Sequence, residues 1–167
     1  MRFRVIPALA VVLSVTTANA QSLGEKTGVN SVLGVTPATQ DFVTEAATSD
    51  MFEIQSSQLA QTKGDAAAKT FAAKMIDDHT KTSAAVKAMV ADGKVKATLP
   101  TALSSSQTSM LDKLKSLNGD DFNRQYKSDQ VSVHKSAVSL FERYAKGGEN
   151  NDLKLGLERN CPHCGII

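Results

Sequence analysis

The chain has 167 residues, with 19 lysines and arginines against 17 aspartates and glutamates, so its formal net charge is +2. Tryptophan is absent, and aromatic residues make up only 5% of the chain. A nearly balanced charge gives no basic surface of the kind that contacts phosphates, so we expect no nucleic-acid partner. The length is sufficient for one domain with a sizeable core, but hardly for two.

The first 20 residues have the pattern of a secretory signal peptide. Arg2 and Arg4 precede an apolar run over residues 5–15, and residues 18–20 read Ala-Asn-Ala, a typical cleavage site. The apolar run is shorter than the ~20 residues that a bilayer requires, which disfavours the alternative of an uncleaved anchor. We therefore expect cleavage after Ala20 and a periplasmic or secreted protein with no transmembrane segment.

Helical patterns dominate the rest of the chain. Residues 21–35 have little periodicity and are predicted to form a flexible leader. No run of alternating β-branched residues follows the signal, so the predicted fold class is all-α. The predicted bundle domain, residues 36–157, contains four helices and the start of a fifth, over about residues 37–63, 66–92, 105–118, 121–146 and from 151 onward.

Capping residues set these predicted boundaries. Thr36 and Pro37 suit an N-cap and a first helical position, and Asp65 suits the N-cap of the second helix. Ser104 begins a capping box with the glutamine three residues later. Either Asp120 or the following aspartate is predicted to cap the fourth helix. Short loops between these helices favour a bundle.

Two histidines occupy positions where apolar residues are expected. His79 lies between Met75 and Val86 on the apolar stripe of the second helix. His134 follows Val131 by three residues on the stripe of the fourth helix. Because an apolar stripe faces the core of a bundle, both imidazoles are predicted to point inward.

Two carboxylates share comparable stripes, Glu53 on the first helix and Asp129 on the fourth. Buried charges are costly unless they are paired or bind a metal, and bundle cores are where helical proteins build carboxylate and histidine metal centres. Two interpretations follow, and the first is a site for a single metal ion with the ligands Glu53, His79, Asp129 and His134. The alternative is that each imidazole only donates a hydrogen bond to a carboxylate and binds no metal.

Several segments resemble a known family. These segments are Asp-Phe-Val-Thr-Glu-Ala-Ala at 41–47, Glu-x-x-Ser-x-x-Leu-Ala at 53–60, Phe-Ala-x-x-Met-Ile-x-Asp-His-Thr-Lys at 71–81, Leu-Pro at 99–100 and Asp-Gln-Val-x-x-His at 129–134. Over about residues 36–157 the chain is similar to the secreted bacterial family called domain of unknown function 4142.

The resemblance implies a ferritin-like, up-down four-helix bundle that is exported and has no established reaction. It also implies that Glu53, His79 and His134 are signature positions. One departure from ferritin-like di-iron centres is clear, because those centres use Glu-x-x-His pairs, whereas Ile76 and Val131 stand three residues before the two histidines.

The C-terminal residues 158–167 do not fit the family pattern, because they contain Cys-Pro-His-Cys at 161–164. Members of the family have a long last helix with Leu-Pro-Thr-Leu followed by basic and histidine residues. Reverse translation from Asn160 in a frame moved by two bases permits Leu-Pro-Thr-Leu-Arg-His-His. We therefore expect an out-of-frame tail and an incomplete last helix. The alternatives are a zinc or redox clip, for which the ligands and the position suit poorly, and a small disulfide.

Two functional hypotheses follow. The first is a non-enzymatic exported bundle that binds a metal ion or a partner in the cell envelope. The alternative is a ferritin-like metalloenzyme that handles a redox metal or a peroxide. If the last helix is incomplete, an open bundle face would also be available for association with the envelope or for a homodimer.

Overall fold

The computed structural model describes residues 22–26 and 29–160, and this part of the chain contains helices and no strand. The predicted all-α helical bundle is therefore confirmed. The predicted signal peptide and the Cys161–Cys164 segment lie outside the described residues. The helices are α1 Leu23–Lys26, α2 Val29–Val32, α3 Thr39–Lys63, α4 Ala66–Ala91, α5 Ser105–Ser116, α6 Gly119–Gly147 and α7 Asn151–Asn160.

Helices α3 and α4 form an antiparallel pair. Only Gly64 and Asp65 separate them, and the Asp65 side chain accepts a hydrogen bond from the Ala68 amide, which confirms the predicted N-cap. Near the turn, Gln61 donates to the Lys69 carbonyl, and farther along the pair Asp50 of α3 accepts from side chains of α4 at residues 79, 82 and 83. Helix α4 therefore lies beside α3 over most of its length.

Helix α6 packs antiparallel to α3 on another side. Ser57 and the Tyr126 hydroxyl lie 2.8 Å apart near one end, and Thr39 and the Tyr144 hydroxyl lie 2.7 Å apart near the other. Because α4 and α6 both run antiparallel to α3, they run parallel to each other. Helix α5 closes the end of the bundle near the α3–α4 turn, and its predicted Ser104 capping box is present.

Two predicted helix starts are wrong by about two residues. Helix α3 begins at Thr39, after the N-cap Ala38, and the Thr36 hydroxyl donates to the Arg143 carbonyl instead. Helix α6 begins at Gly119, whose φ of +54° suits a residue without a Cβ, so the two aspartates predicted as caps lie within its first turn. Acidic residues are favourable there because they face the positive end of the helix dipole.

The core is divided into two clusters. The first lies around Phe52, which has no exposed surface, and contains side chains from α3, α4, α5 and α6. The second lies toward the other end and contains Leu153 of α7, packed with α3 and α6. Phe52 of α3 is among the largest fully buried side chains.

Three apolar residues of α4 and α6 are half exposed, among them Val131 of the stripe that was predicted to face the core. Phe71, Val131 and Val138 are 43%, 48% and 45% exposed, and they line an open groove between α4 and α6. Both α4 and α6 turn their most buried residues toward α3. Among the described residues, no helix covers the groove that Phe71, Val131 and Val138 line. In the described part of the chain, no helix combines the length and the apolar character that crossing a membrane requires.

The predicted leader contains the single-turn helices α1 and α2, which lie against the bundle. The Ser22 amide donates to Asp41 of α3 (3.0 Å), and the Ser31 and Ser139 hydroxyls lie 3.1 Å apart. Arg143 of α6 donates to the Val35 carbonyl at 2.7 Å. These bonds join the leader to both α3 and α6.

Candidate metal centre

Three of the four predicted ligands meet at the middle of the bundle. Glu53 of α3 lies between His79 of α4 and His134 of α6. Its Oε2 atom is 3.0 Å from His79 Nδ1, and its Oε1 atom is 3.4 Å from His134 Nδ1. One ligand atom from each residue lies within 4.8 Å of the other two, and among residues 22–26 and 29–160 this is the one group of three such donors.

The three side chains differ in their exposure to solvent. Glu53 is buried, and the His79 side chain is 18% exposed. His134 faces the cluster, but it is less buried than its position on an apolar stripe predicts, because its side chain is 46% exposed. It lies at the rim of the α4–α6 groove, where its Nδ1 donates to the Gln130 carbonyl at 2.8 Å. Solvent therefore reaches the cluster through His134.

Asp50 is a fourth member of the cluster that was not predicted as a site residue. Its Oδ1 atom accepts from His79 Nδ1 at 2.7 Å, and its Oδ2 atom accepts from the Thr82 and Ser83 hydroxyls at 2.7 and 3.1 Å. Asp50 precedes Glu53 by three residues, so the two carboxylates share one face of α3. That spacing was the signal in the sequence that could have identified it.

The two carboxylates control the protonation of His79. Burial lowers the pKa of this imidazole, but hydrogen bonds to Asp50 and Glu53 and the charges of both carboxylates outweigh that effect. Together they raise the pKa of His79 from 6.5 to about 9. At neutral pH a proton on Nδ1 therefore links the two buried carboxylates.

Asp129, the fourth predicted ligand, is not brought into this group. It is buried on α6, where its Oδ1 atom accepts from Gln125 Nε2 at 2.7 Å and its Oδ2 atom has no hydrogen-bond partner among the described residues. Burial raises the pKa of this carboxyl, and the hydrogen bond from Gln125 and the charge of Lys113 on α5 offset part of that rise. Because Lys113 of α5 is its charged neighbour, Asp129 lies on the side of α6 that faces α5, and not on the side that faces Glu53 and His79.

The cluster also lines a cavity of about 220 Å³ between α3, α4, α6 and α7. Glu53, His79 and His134 are all on its wall, together with Asp50 and Thr82. The rest of the wall is mainly apolar. A ligand in this cavity would therefore contact the donor atoms directly.

The donor set fits a transition-metal ion. Zinc bonds to histidine nitrogen and carboxylate oxygen are about 2.0–2.2 Å long, so two ligands of one ion lie about 3–4 Å apart. The Glu53 carboxylate oxygens lie 3.0 Å from His79 Nδ1 and 3.4 Å from His134 Nδ1, which is in this range. To bind an ion through Nδ1, His134 would give up its hydrogen bond to the Gln130 carbonyl. Three protein ligands also leave at least one position of a tetrahedral ion open.

Comparison with known proteins gives a family but no activity. The model of the family described as "Domain of unknown function (DUF4142)" matches residues 24–164. The chain belongs to the DUF4142 family. The match covers most of the chain and includes all the residues of the cluster in this DUF4142 protein. Neither the curated proteins nor the solved structures contain a match to the chain.

Proposed function

We propose that this DUF4142 protein is an exported, non-enzymatic helical bundle that binds one divalent transition-metal ion in the cell envelope. Glu53, His79 and His134 would be the ligands, and Asp50 would place a second carboxylate beside the ion. The convergence of these three donors from three helices is the observation that carries the proposal. Export is proposed from the sequence pattern of residues 1–20.

The chemistry of the donors favours particular metals. Two imidazoles and one carboxylate suit zinc, nickel, cobalt or copper, whereas magnesium and calcium prefer a shell of oxygen atoms. The Oδ1 atom of Asp50 lies 2.7 Å from the same Nδ1 atom of His79, so this carboxylate would face the ion once the proton there is displaced. The exposed side of His134 would give the ion a path from solvent.

The buried carboxylates support a cation at this position. Glu53 is 1% exposed and Asp50 is 9% exposed, and two buried carboxylates this close together are costly unless a positive charge lies between them. His79 lies between them, and its raised pKa favours the protonated imidazole that supplies this charge at neutral pH. A metal ion would replace it and would release a proton on binding.

Calorimetric titration with zinc, in a buffer that does not bind metals, tests the proposal. The wild-type protein should bind one zinc ion. Glu53→Gln should weaken zinc binding at least tenfold, because it removes the carboxylate that lies close to both His79 and His134. Asp129→Asn is the control, because Asp129 lies outside the group, and it should leave the affinity unchanged. Equal affinities for the wild type and Glu53→Gln would contradict the proposal.

The cavity beside the three donors favours a second candidate, a mononuclear metalloenzyme that acts on a peroxide or a redox metal. Its open coordination position would face a space of about 220 Å³. Addition of hydrogen peroxide to the iron(II)-loaded protein tests this candidate. Consumption that is catalytic and is lost in His79→Ala would support the enzyme, and consumption no faster than that by iron(II) in buffer would count against it.

A further inference from the structure

The cavity has a polar end and an apolar end. On α3, its wall extends from Glu53 to Phe42, eleven residues or about 16 Å along the helix axis. On α4, it extends from His79 to Met89, about 15 Å. The donor cluster therefore forms one end of an elongated space. Apolar residues from four helices form the remainder, among them Phe42, Val86, Met89, Leu140, Phe141 and Leu153.

The volume limits what can enter. At about 220 Å³ the cavity is larger than the roughly 150 Å³ cavity that admits benzene in another protein, and smaller than the roughly 300 Å³ at which pockets for drug-sized ligands begin. A single ring or a short alkyl chain with a polar head matches this range. A long lipid chain or a peptide helix exceeds it.

We propose that the metal centre takes a second ligand from solution, a small amphiphile whose oxygen-donor head binds the ion and whose apolar tail occupies the cavity. This inference rests on the proposed metal centre, since the head needs the ion's open position. The tail needs only the apolar wall. An apolar pocket with a few converging polar groups at one end is the usual form of a small-molecule site.

Two hydroxamates with the same head and different tails, acetohydroxamate and hexanohydroxamate, test this inference. The cobalt(II)-loaded protein is titrated with each, and binding of the head is followed by the change in the visible spectrum of the cobalt. Each buried methylene group strengthens binding about fourfold, so the four additional methylenes of hexanohydroxamate should lower its Kd by roughly 250-fold.

A variant whose cavity is partly filled shows whether the longer tail binds in this cavity. Ala46 lines the cavity, and Ala46→Leu should remove most of the advantage of the longer tail while leaving the affinity for cobalt unchanged. Ala84→Leu is the matched control, because Ala84 lies on α4 outside the wall, and it should preserve the full advantage. If Ala46→Leu does not fold, Ala137→Leu fills the same space from α6.

The outcomes separate this inference from the proposed function. A direct titration with cobalt comes first, and absence of binding there would overturn both. If cobalt binds but the two hydroxamates bind equally, the amphiphile site is overturned and the metal centre stands. An advantage of the longer tail that survives in Ala46→Leu would also overturn the site, because the tail would then lie elsewhere.

Discussion

Replacement of His79 by alanine should destabilise the bundle by about 3–5 kcal/mol at pH 6, because it leaves Asp50 and Glu53 buried without their shared partner. The raised pKa of the His79 imidazole gives a similar value for the lost stability. A pKa that moves from 6.5 to about 9 on folding corresponds to about 3 kcal/mol. The His79 side chain is only 18% exposed, so solvent screens this contribution little.

The pH dependence identifies the source of this stability. Since the pKa of His79 is higher in the folded state, its contribution is complete below about pH 6.5 and declines until it is lost above about pH 9. Urea denaturation of the wild type and His79→Ala at pH 6, 8 and 10, in the presence of a chelator, measures it. The difference in unfolding free energy between the two proteins should shrink as the pH rises.

A matched substitution at the second histidine serves as the control. His134 is half exposed, so His134→Ala should cost less than about 1 kcal/mol at pH 6. If the difference in unfolding free energy between the wild type and His79→Ala is the same at all three pH values, the proton on His79 does not stabilise the fold. Protonated His79 would then not be the group that compensates the buried charges of Asp50 and Glu53.

Three further predictions concern the core and the ion. Phe52→Ala should lower the unfolding free energy by about 3–5 kcal/mol, and Phe71→Ala, at a residue that is 43% exposed, by less than half as much in the same urea titrations. Asp129→Asn should raise the melting temperature at pH 7, because burial disfavours the charged carboxyl, and a lower melting temperature would contradict this reasoning. The apparent affinity for zinc should rise about tenfold per pH unit from pH 6 to pH 9, since the ion must displace the proton on His79, and an affinity independent of pH would exclude that exchange.

Local signals predicted much of the fold. Asp65 and Ser104 lie at helix starts because their side chains accept hydrogen bonds from amides that the helix leaves unpaired, and such bonds depend only on nearby residues. The positions of Glu53, His79 and His134 near the middle of three long helices were likewise predictable from helical periodicity. The structure brings those three together.

Features that depend on helix rotation and on neighbouring helices were less predictable. Asp129 and His134 are five residues apart, which places them about 140° apart around α6, so one of them faces away whenever the other faces the cluster. Asp50 and Glu53 are three residues apart and share a face. The exposure of His134 follows from the groove between α4 and α6, because periodicity along one helix does not indicate whether another helix covers that face.

The position of a bound zinc ion would show whether Glu53, His79 and His134 form a metal centre. Crystals of the protein grown with zinc, with diffraction recorded at the zinc absorption edge, would give the position of the ion from its anomalous scattering. We predict one strong peak about 2.0–2.2 Å from a Glu53 carboxylate oxygen and from one ring nitrogen of each of His79 and His134. A zinc peak only at other side chains, or no peak at this cluster with zinc in excess, would contradict the account.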